Sequence, residues 1–143
     1  MVFKVDERIE NSCIYITNSE LSSLYFKKDA SYPWLILVPR IVDITEIYQL
    51  AAAERQILIE EIALFSQMMK EYFNPHKLNI GALGNVVSQL HIHIVARFKE
   101  DKAWPHSIWQ PDFAAEVYEP ETLDRHIAAM RRIISDIQAR SAD

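Results

Sequence analysis

Glycine and cysteine are scarce in this sequence. Of its 143 residues, only two are glycine and one is cysteine, Cys13. A single cysteine excludes an internal disulfide framework and is typical of a protein from a reducing compartment. Because Cys13 lies in an apolar run, we expect its thiol to be buried and inert.

The chain also lacks an excess of positive charge and any long hydrophobic run. Its formal net charge of −5 argues against binding to long nucleic acids. A small anionic ligand stays compatible with a locally basic site or with backbone amides. No segment reaches the roughly 18 uncharged apolar residues that a membrane span needs. Residues 1–7 lack the basic and apolar regions of a signal peptide, so we expect a cytoplasmic protein.

The composition is that of an ordinary globular domain, with 50% apolar and 24% charged residues. No repeat, low-complexity tract or linker divides the chain, and its length suffices for one sizeable core. We therefore predict a single domain over residues 1–143. Its core should occupy about 12–110 and a C-terminal helix about 120–139.

Short apolar segments bounded by turn residues predict five β-strands. Their expected ranges are 12–17, 22–27, 34–38, 77–82 and 90–98. The third segment is almost continuously apolar and lies between Pro33 and Pro39, which favours a central strand covered on both faces. Residues 2–11 are polar, and we expect them to be irregular or to form a short turn.

Helical periodicity begins after Asp43, which is a good N-cap for a short turn over residues 44–50. A longer helix is predicted at about 52–73, and Pro75 ends it. Three residues widen the apolar surface of this helix beyond what packing on one sheet face needs: Ile59, Leu64 and Met68. They indicate either a broad core or a subunit interface. Strands clustered around one long helix predict an α+β fold with a mainly antiparallel sheet of about five strands.

One stretch, residues 88–97, combines a strand pattern with ring and amide side chains. Its alternation places Leu90, Ile92, Ile94 and Ala96 on one apolar face and Gln89, His91, His93 and Val95 on the other. Two imidazoles two residues apart on a strand lie about 7 Å apart. They therefore face the same small volume.

A His-x-His pair on a strand has three interpretations. The histidines can be structural and solvated, or they can bind a metal, although zinc needs three or four ligands and only distant residues such as His76, His106 and His126 could complete the set. The third interpretation is nucleophilic catalysis, with one imidazole attacking an electrophile and the other assisting. Gly81 and Gly84 precede the strand, and they indicate either a tight turn or backbone amides that close on a phosphate.

Residues 89–95, Gln-Leu-His-Ile-His-Ile-Val, resemble the histidine-triad (HIT) motif, His-x-His-x-His-x-x with apolar residues at x. Residues 79–87 are similar to that family's Asn-x-Gly … Gly-Gln-Ser/Thr-Val segment. Residues 33–40 and the helix start at 43–45 also match in order and spacing. The resemblance covers about residues 12–110 and is greatest to proteobacterial HIT-domain proteins whose motif begins with Gln.

The resemblance implies a small HIT-like α+β homodimer that acts on nucleotides without a cofactor or metal. The expected reaction is hydrolysis or transfer at the α-phosphate of a dinucleoside polyphosphate, a nucleoside phosphoramidate or an adenylylated conjugate. The family's nucleophile, which forms a nucleotidyl-phosphohistidine that water resolves, matches His91, and its last histidine matches His93. Three positions match nucleotide-binding residues of the family: Asp29 for the ribose hydroxyls, and Asn79 and Asn85 for the phosphate.

Two positions depart from the family pattern. Gln89 replaces the first histidine, whose backbone carbonyl accepts a hydrogen bond from the nucleophile and sets its tautomer. Gln89 keeps that carbonyl, and we expect its side-chain amide to donate to phosphate. Val86 replaces a Ser or Thr near the leaving group, which implies a slow enzyme or an unusual leaving group.

Three classes of function therefore stay open. Intact His91 and His93 favour an enzyme, whereas Gln89 and Val86 leave room for a nucleotide-binding module without turnover. A structural dimer with vestigial histidines is the third class. The aromatic tail that follows the last strand either packs on a helix or second subunit or forms a lid over the ligand: Trp104, His106 and Trp109.

Overall fold

One antiparallel sheet of five strands organises the fold of the computed structural model, which describes residues 1–110 and 113–141. Its spatial order is β1-β2-β3-β5-β4. The strands are β1 (Cys13–Asn18), β2 (Ser22–Lys27), β3 (Trp34–Pro39), β4 (Lys77–Gly81) and β5 (Ile92–Arg97). The helices are α1 (Glu7–Ser12), α2 (Ala52–Phe73) and α3 (Pro120–Ser141), with a single 3-10 turn at Ile47–Gln49. The predicted α+β class with a five-stranded antiparallel sheet is confirmed.

The two faces of the sheet bury different side chains because successive residues of a strand point to opposite sides. The main core joins one face to α2 and α3, and its fully buried members include Phe26, Leu35, Ile94, Phe65 and Met130. Burial of each such side chain contributes on the order of 1.5–3 kcal/mol. The other face packs on α1 through a smaller cluster: Val5, Ile9, Cys13, Tyr25, Ile36 and Val38. The two clusters make β3 a central strand with both faces covered, as predicted.

Helix α2 occupies the range that its periodicity predicts, 52–73. It ends where Asn74 adopts a left-handed conformation with φ of 49°, followed by Pro75. Of the apolar residues that indicated either a broad core or a subunit interface, Met68 is fully buried and Leu64 also packs against the core. Ile59 remains 59% exposed. The extra width of α2 is therefore mostly core.

The start of the short turn before α2 was predicted wrongly. Asp43 does not cap it but adopts a positive φ of 59°. The 3-10 turn begins three residues later than expected, after Glu46. The side-chain oxygen of Gln49 accepts from the amides of Thr45 and Glu46, and this supplies the cap that Asp43 was expected to supply.

The N-terminal segment contains a helix that was not predicted. Helix α1 has six residues, and the Asp6 carboxylate caps it by accepting from the Arg8 amide at 2.9 Å. Ile9 is its one buried residue. A single buried position gives no periodicity, which is why this segment resembles an irregular one in sequence.

The last strand is shorter than predicted, and its beginning matters for the site. Strand β5 begins at Ile92, whereas the expected start was Leu90. The Leu90 amide donates to the Ile44 carbonyl at 2.9 Å and not to a neighbouring strand. His91 therefore lies just before the strand, while His93 lies within it opposite Ile36 and Gly81.

Cys13 is buried, as expected, and burial raises the pKa of its thiol. Within residues 1–110 and 113–141, no helix has both the length and the apolar character needed to cross a bilayer.

Candidate functional site

A cleft of about 490 Å³ opens between α1, the end of β2 and the loop that leads to β5. Its floor is apolar and includes Ile9 and Ile36. Its polar and ring-bearing walls come from five elements of the chain: Arg8, Ser12, Lys27, Asn85, His91, His93 and Trp109. A second hollow of about 260 Å³ adjoins His91 from the side of the 3-10 turn. His91 thus lies between two cavities.

The backbone of Gln89 sets the tautomer of His91. The Nδ1 atom of His91 lies 2.7 Å from the Gln89 carbonyl oxygen, which can only accept. The Nδ1–H of His91 therefore donates, and in the neutral ring Nε2 keeps its lone pair. His91 is 7% exposed at the cleft, which gives it the form of an oriented nucleophile.

Trp34 sets the opposite tautomer of His93. The indole Nε1–H of Trp34 donates to His93 Nδ1 at 2.9 Å, so a neutral His93 carries its proton on Nε2. Burial, and next the charge of His91 and that of Lys27, lower the pKa of His93 to about 3. His93 is consequently a neutral N–H donor at ordinary pH.

The two imidazoles are close enough to act on one atom. Their ring centroids lie 4.8 Å apart with an interplanar angle of 68°. One ring presents a lone pair and its neighbour presents an N–H. This pair can attack an electrophile such as phosphorus while the donor binds one of its oxygens.

The loop before the histidines borders the same cleft. Gly84 adopts φ of 75°, a left-handed conformation in which a side chain is strained. Asn85 and Val86 follow it at the cleft, and Val86 is 79% exposed. Arg8 ties this loop to α1, since its Nη1 donates to the Val86 carbonyl at 3.0 Å.

Contrary to the expectation, the side chain of Gln89 does not face the cleft. Its Nε2 donates to the Lys4 carbonyl at 2.8 Å, and its Oε1 accepts from the Asp6 amide at 2.9 Å. The Asp6 carboxylate in turn holds Arg8, and the hydrogen bonds from Arg8 lower the pKa of Asp6 to about 2. Gln89 therefore clamps the segment that begins α1, which forms one wall of the cleft.

Two predicted nucleotide-binding residues lie outside the cleft. Asp29 is buried in the β2–β3 loop, and its Oδ1 accepts from the amides of Ser31 and Glu116. Asn79 on β4 accepts from Arg97, which is itself held by two bonds to Asp101. Both side chains thus have structural partners, and of the three predicted residues the fold brings only Asn85 to the histidines.

The aromatic tail contributes one residue to the site. Trp109 lines the cleft, and its ring centroid lies 5.4 Å from that of His93. Trp104 packs instead on Arg97 and His76, and His106 is exposed away from the cleft. The lid-like position therefore belongs to Trp109 and not to Trp104 or His106.

Sequence reasoning missed three polar residues of the cleft, Arg8, Ser12 and Lys27. It also missed Trp34, which donates a hydrogen bond to His93. The signal for Trp34 is present, because antiparallel pairing places Trp34 opposite Val95 and Ile36 opposite His93. Residues of one parity on β3 therefore share the histidine face. Finding them from sequence requires the register between strands that are far apart along the chain. In the part of the chain that the structure describes, no three His, Cys, Asp or Glu side chains group as metal ligands.

A protein-family model and several solved structures match this chain. The model of the HIT domain matches residues 8–100. Among solved structures, a histidine triad protein from Bradyrhizobium japonicum is 39% identical, with a TM-score of 0.90 over 94% of this chain and 99% of that one. A histidine triad protein from Sinorhizobium meliloti is 36% identical, with a TM-score of 0.87 over 91% of this chain and 96% of that one. One from Marinobacter aquaeolei is 33% identical, with a TM-score of 0.90 over 96% of this chain and 99% of that one.

A more distant structure shares the fold alone. The diadenosine triphosphate hydrolase of Plasmodium falciparum is 16% identical, with a TM-score of 0.61 over 92% of this chain and 80% of that one. No curated protein matches the sequence significantly.

Proposed function

This chain belongs to the HIT domain family, and from that premise we propose that it is a nucleotide hydrolase or transferase acting at an α-phosphate through His91. One observation carries the proposal. His91 and His93 lie side by side with complementary tautomers, each set by a partner outside the pair. Structural, solvated histidines need no such arrangement.

The proposed first step is an exchange of bonds at phosphorus. The Nε2 lone pair of His91 attacks the α-phosphorus, an N–P bond forms, and the bond from phosphorus to the leaving group breaks with its electron pair. His93 Nε2–H donates to a phosphate oxygen or to the departing atom. The positive charge that develops on His91 is stabilised by its Nδ1–H bond to the Gln89 carbonyl.

The second step regenerates the free enzyme. Water attacks the phosphorus and loses a proton, the N–P bond breaks, and the nucleoside monophosphate leaves. A hydroxyl acceptor in place of water makes the same step a transfer. Asn85 and the Gly84 backbone border the phosphate position, and we assign them to phosphate binding.

The proposed substrates are dinucleoside polyphosphates, nucleoside phosphoramidates and adenylylated conjugates. The two cavities beside His91 support this choice, since the larger can hold the nucleotide and the smaller the leaving group. The Plasmodium falciparum protein that shares this fold is a diadenosine triphosphate hydrolase. Val86 supplies no hydroxyl to the leaving group, so leaving groups that need little protonation should react fastest.

Trapping the intermediate tests the proposal. The protein is incubated with an adenylyl substrate labelled at the α-phosphate, quenched and separated from free nucleotide. We expect label on the protein that acid removes and base leaves in place, as a phosphoramidate bond requires, and no label on His91→Asn. Turnover without any label, or equal labelling of the variant, would place the chemistry elsewhere.

A nucleotide-binding dimer with little turnover is the second candidate. The observation that favours it concerns the two positions that differ from the family pattern. Val86 offers no hydroxyl to the cleft, and the Gln89 amide is occupied by the Lys4 and Asp6 backbone. Calorimetry with AMP separates the candidates. Binding without label or turnover for any of the three substrate classes supports the second.

We further propose a homodimer in the cytoplasm. Strand β4 is an edge of the sheet, and Ile80 on it is 49% exposed. An edge strand with an exposed apolar residue is a surface that a second copy can cover by strand pairing. The one buried cysteine is consistent with a reducing compartment.

A further inference from the structure

Lys27 is the last residue of β2, and it borders the same cleft as His91 and His93. Strand β3 separates β2 from β5 in the sheet. Adjacent strands lie about 4.8 Å apart, so the Lys27 backbone is about 10 Å from that of β5. The backbone of Lys27 therefore lies two strands away from β5 at the border of the cleft.

The Lys27 ammonium has a hydroxyl and an aromatic ring as neighbours. Its Nζ donates to Ser12 Oγ at 3.3 Å and lies 5.3 Å from the centroid of the Trp34 ring. Among residues 1–110 and 113–141, it forms no ion pair within 4.0 Å. The other cation of the cleft, Arg8, is paired with Asp6 at 2.9 Å.

No Asp or Glu of the described chain lines this cleft. Asp29, the residue expected at the ribose, is occupied by backbone amides outside it. The cleft thus presents an unpaired cation and no carboxylate to bind a ribose diol. This charge distribution does not suit a ligand whose only charge is the phosphate at His91.

A ligand that fills the cleft removes water from Lys27. A desolvated ammonium without a counter-charge is costly, and neither a serine hydroxyl nor an indole face supplies a full negative charge. Resting on the proposed function, we infer that the substrate carries a second phosphate-type anion, which Lys27 binds at the border of the cleft. Lys27 is then the residue that selects this substrate class.

The second anion has two chemical sources. It can be a phosphate on the ribose of the attacked nucleotide, or a phosphate of the leaving group lying along the cleft. Three probes distinguish them: AMP with one phosphate, adenosine 3′,5′-bisphosphate with a second on the ribose, and ADP with a second on the chain. Binding of all three is measured by calorimetry, which does not depend on turnover.

Two lysines at the end of β2 provide a matched pair of variants. Lys27→Met removes the ammonium but keeps an unbranched stem over Trp34. Lys28→Met removes the same charge from the adjacent exposed residue, so both variants have the same net charge. Comparison of the two isolates position from overall electrostatics.

We expect the wild type and Lys28→Met to bind either adenosine 3′,5′-bisphosphate or ADP at least tenfold more tightly than AMP. Salt should weaken this preference. Lys27→Met should bind that nucleotide and AMP within about threefold of each other, with AMP affinity nearly unchanged. Preference for the ribose bisphosphate identifies the first source, and preference for ADP the second.

Other outcomes overturn the inference. If AMP binds and neither adenosine 3′,5′-bisphosphate nor ADP binds more tightly, the second anion does not exist and the proposed function stands. If a preference survives in Lys27→Met, another group binds the anion. If the wild type binds no probe, the inference and the proposed nucleotide function both fail.

Discussion

The Nδ1 atom of His91 lies 2.7 Å from the backbone oxygen of Gln89. Every amino acid carries that oxygen, so the orientation of His91 does not depend on which side chain occupies position 89. This explains physically how Gln can replace the first histidine of the motif while the tautomer of the nucleophile is retained. The side chain of Gln89 is free for a different task, and it clamps the N-terminal segment.

Replacing His91 tests the nucleophile. His91→Asn should lower kcat on the order of 10³-fold or more, as removal of a covalent nucleophile does. The fold should survive, because His91 lies before strand β5 and borders the two cavities. AMP affinity measured by calorimetry should stay within about threefold of the wild type. A variant with more than a tenth of the original activity would contradict the assignment.

Replacing Gln89 tests the clamp. In Gln89→Ala the carbonyl that orients His91 remains, but the Lys4 carbonyl and the Asp6 amide lose their partner. We expect the free energy of unfolding to fall by about 1–3 kcal/mol in urea titrations. Because the wall of the cleft loosens, KM should rise more than kcat falls, and kcat should stay within about tenfold.

Gln89→His is the matched variant for this test. The variant keeps the backbone carbonyl and restores the family's triad, but its imidazole cannot bond the Lys4 and Asp6 backbone as an amide does. We expect kcat within about tenfold of the wild type, in either direction. A Gln89→Ala protein as inactive as His91→Asn would show instead that the side chain takes part in the chemistry.

Trp34 is predicted to position His93 through its indole N–H. In Trp34→Phe the His93 Nδ1 loses its donor at 2.9 Å, so the ring is free to carry its proton on either nitrogen. We expect kcat to fall about two- to tenfold with little change in KM, since a hydrogen bond of this kind contributes about 0.5–1.5 kcal/mol. The measurement is steady-state kinetics with one nucleotide substrate.

Trp109→Phe is the control for ring contact alone. Trp109 also touches the His93 ring, but its Nε1 has no hydrogen-bond partner in the described structure. The smaller loss of kcat should therefore belong to Trp109→Phe. Equal losses would show that aromatic packing, and not the hydrogen bond, positions His93.

The sequence predicts strands, long helices and the histidine pair well because each produces a local pattern. The alternation around His91 and His93 is visible within ten residues, and the apolar spacing of α2 repeats over 22 residues. Pairing of β2, β3 and β5 brings Lys27 to the cleft and Trp34 to His93. That register is a long-range property with no signature in any one segment.

Two site assignments failed because a side chain found backbone partners. Asp29 and the Gln89 amide are polar groups at the expected places in the motif. Their oxygen and nitrogen atoms satisfy amides and carbonyls of segments that are distant in sequence. Partners more than 80 residues away cannot be predicted from local spacing. A buried backbone amide needs a hydrogen-bond partner, and it competes with a ligand for the same side chain.

Dimerisation through β4 is tested by sedimentation. At micromolar concentration we expect twice the 16.6 kDa mass of one chain. Ile80→Glu should shift the protein toward the monomer, because it places a charge on the exposed edge. Ile59→Glu on the exposed side of α2 is the matched control and should leave the dimer intact. A wild-type monomer would contradict the proposal, and dissociation only in Ile59→Glu would move the interface to α2.

The pKa of His93 predicts how stability depends on pH. Its value is about 3 in the folded protein, against 6.5 when unperturbed, because burial disfavours the imidazolium. Between these two values the unfolded chain binds more protons than the folded one. His93 therefore lowers stability progressively as pH falls below 6.5, at up to roughly 1.4 kcal/mol per pH unit, and has no effect above about pH 7.5.

His93→Gln keeps an acceptor for Trp34 and does not titrate, so it isolates this contribution from those of Asp6 and His126. Urea unfolding of both proteins from pH 8 to pH 4 should give a stability difference that is constant at high pH and changes in favour of the variant below pH 6.5. Parallel curves over the whole range would mean that His93 can be protonated in the folded protein, and the tautomer assigned through Trp34 would be wrong.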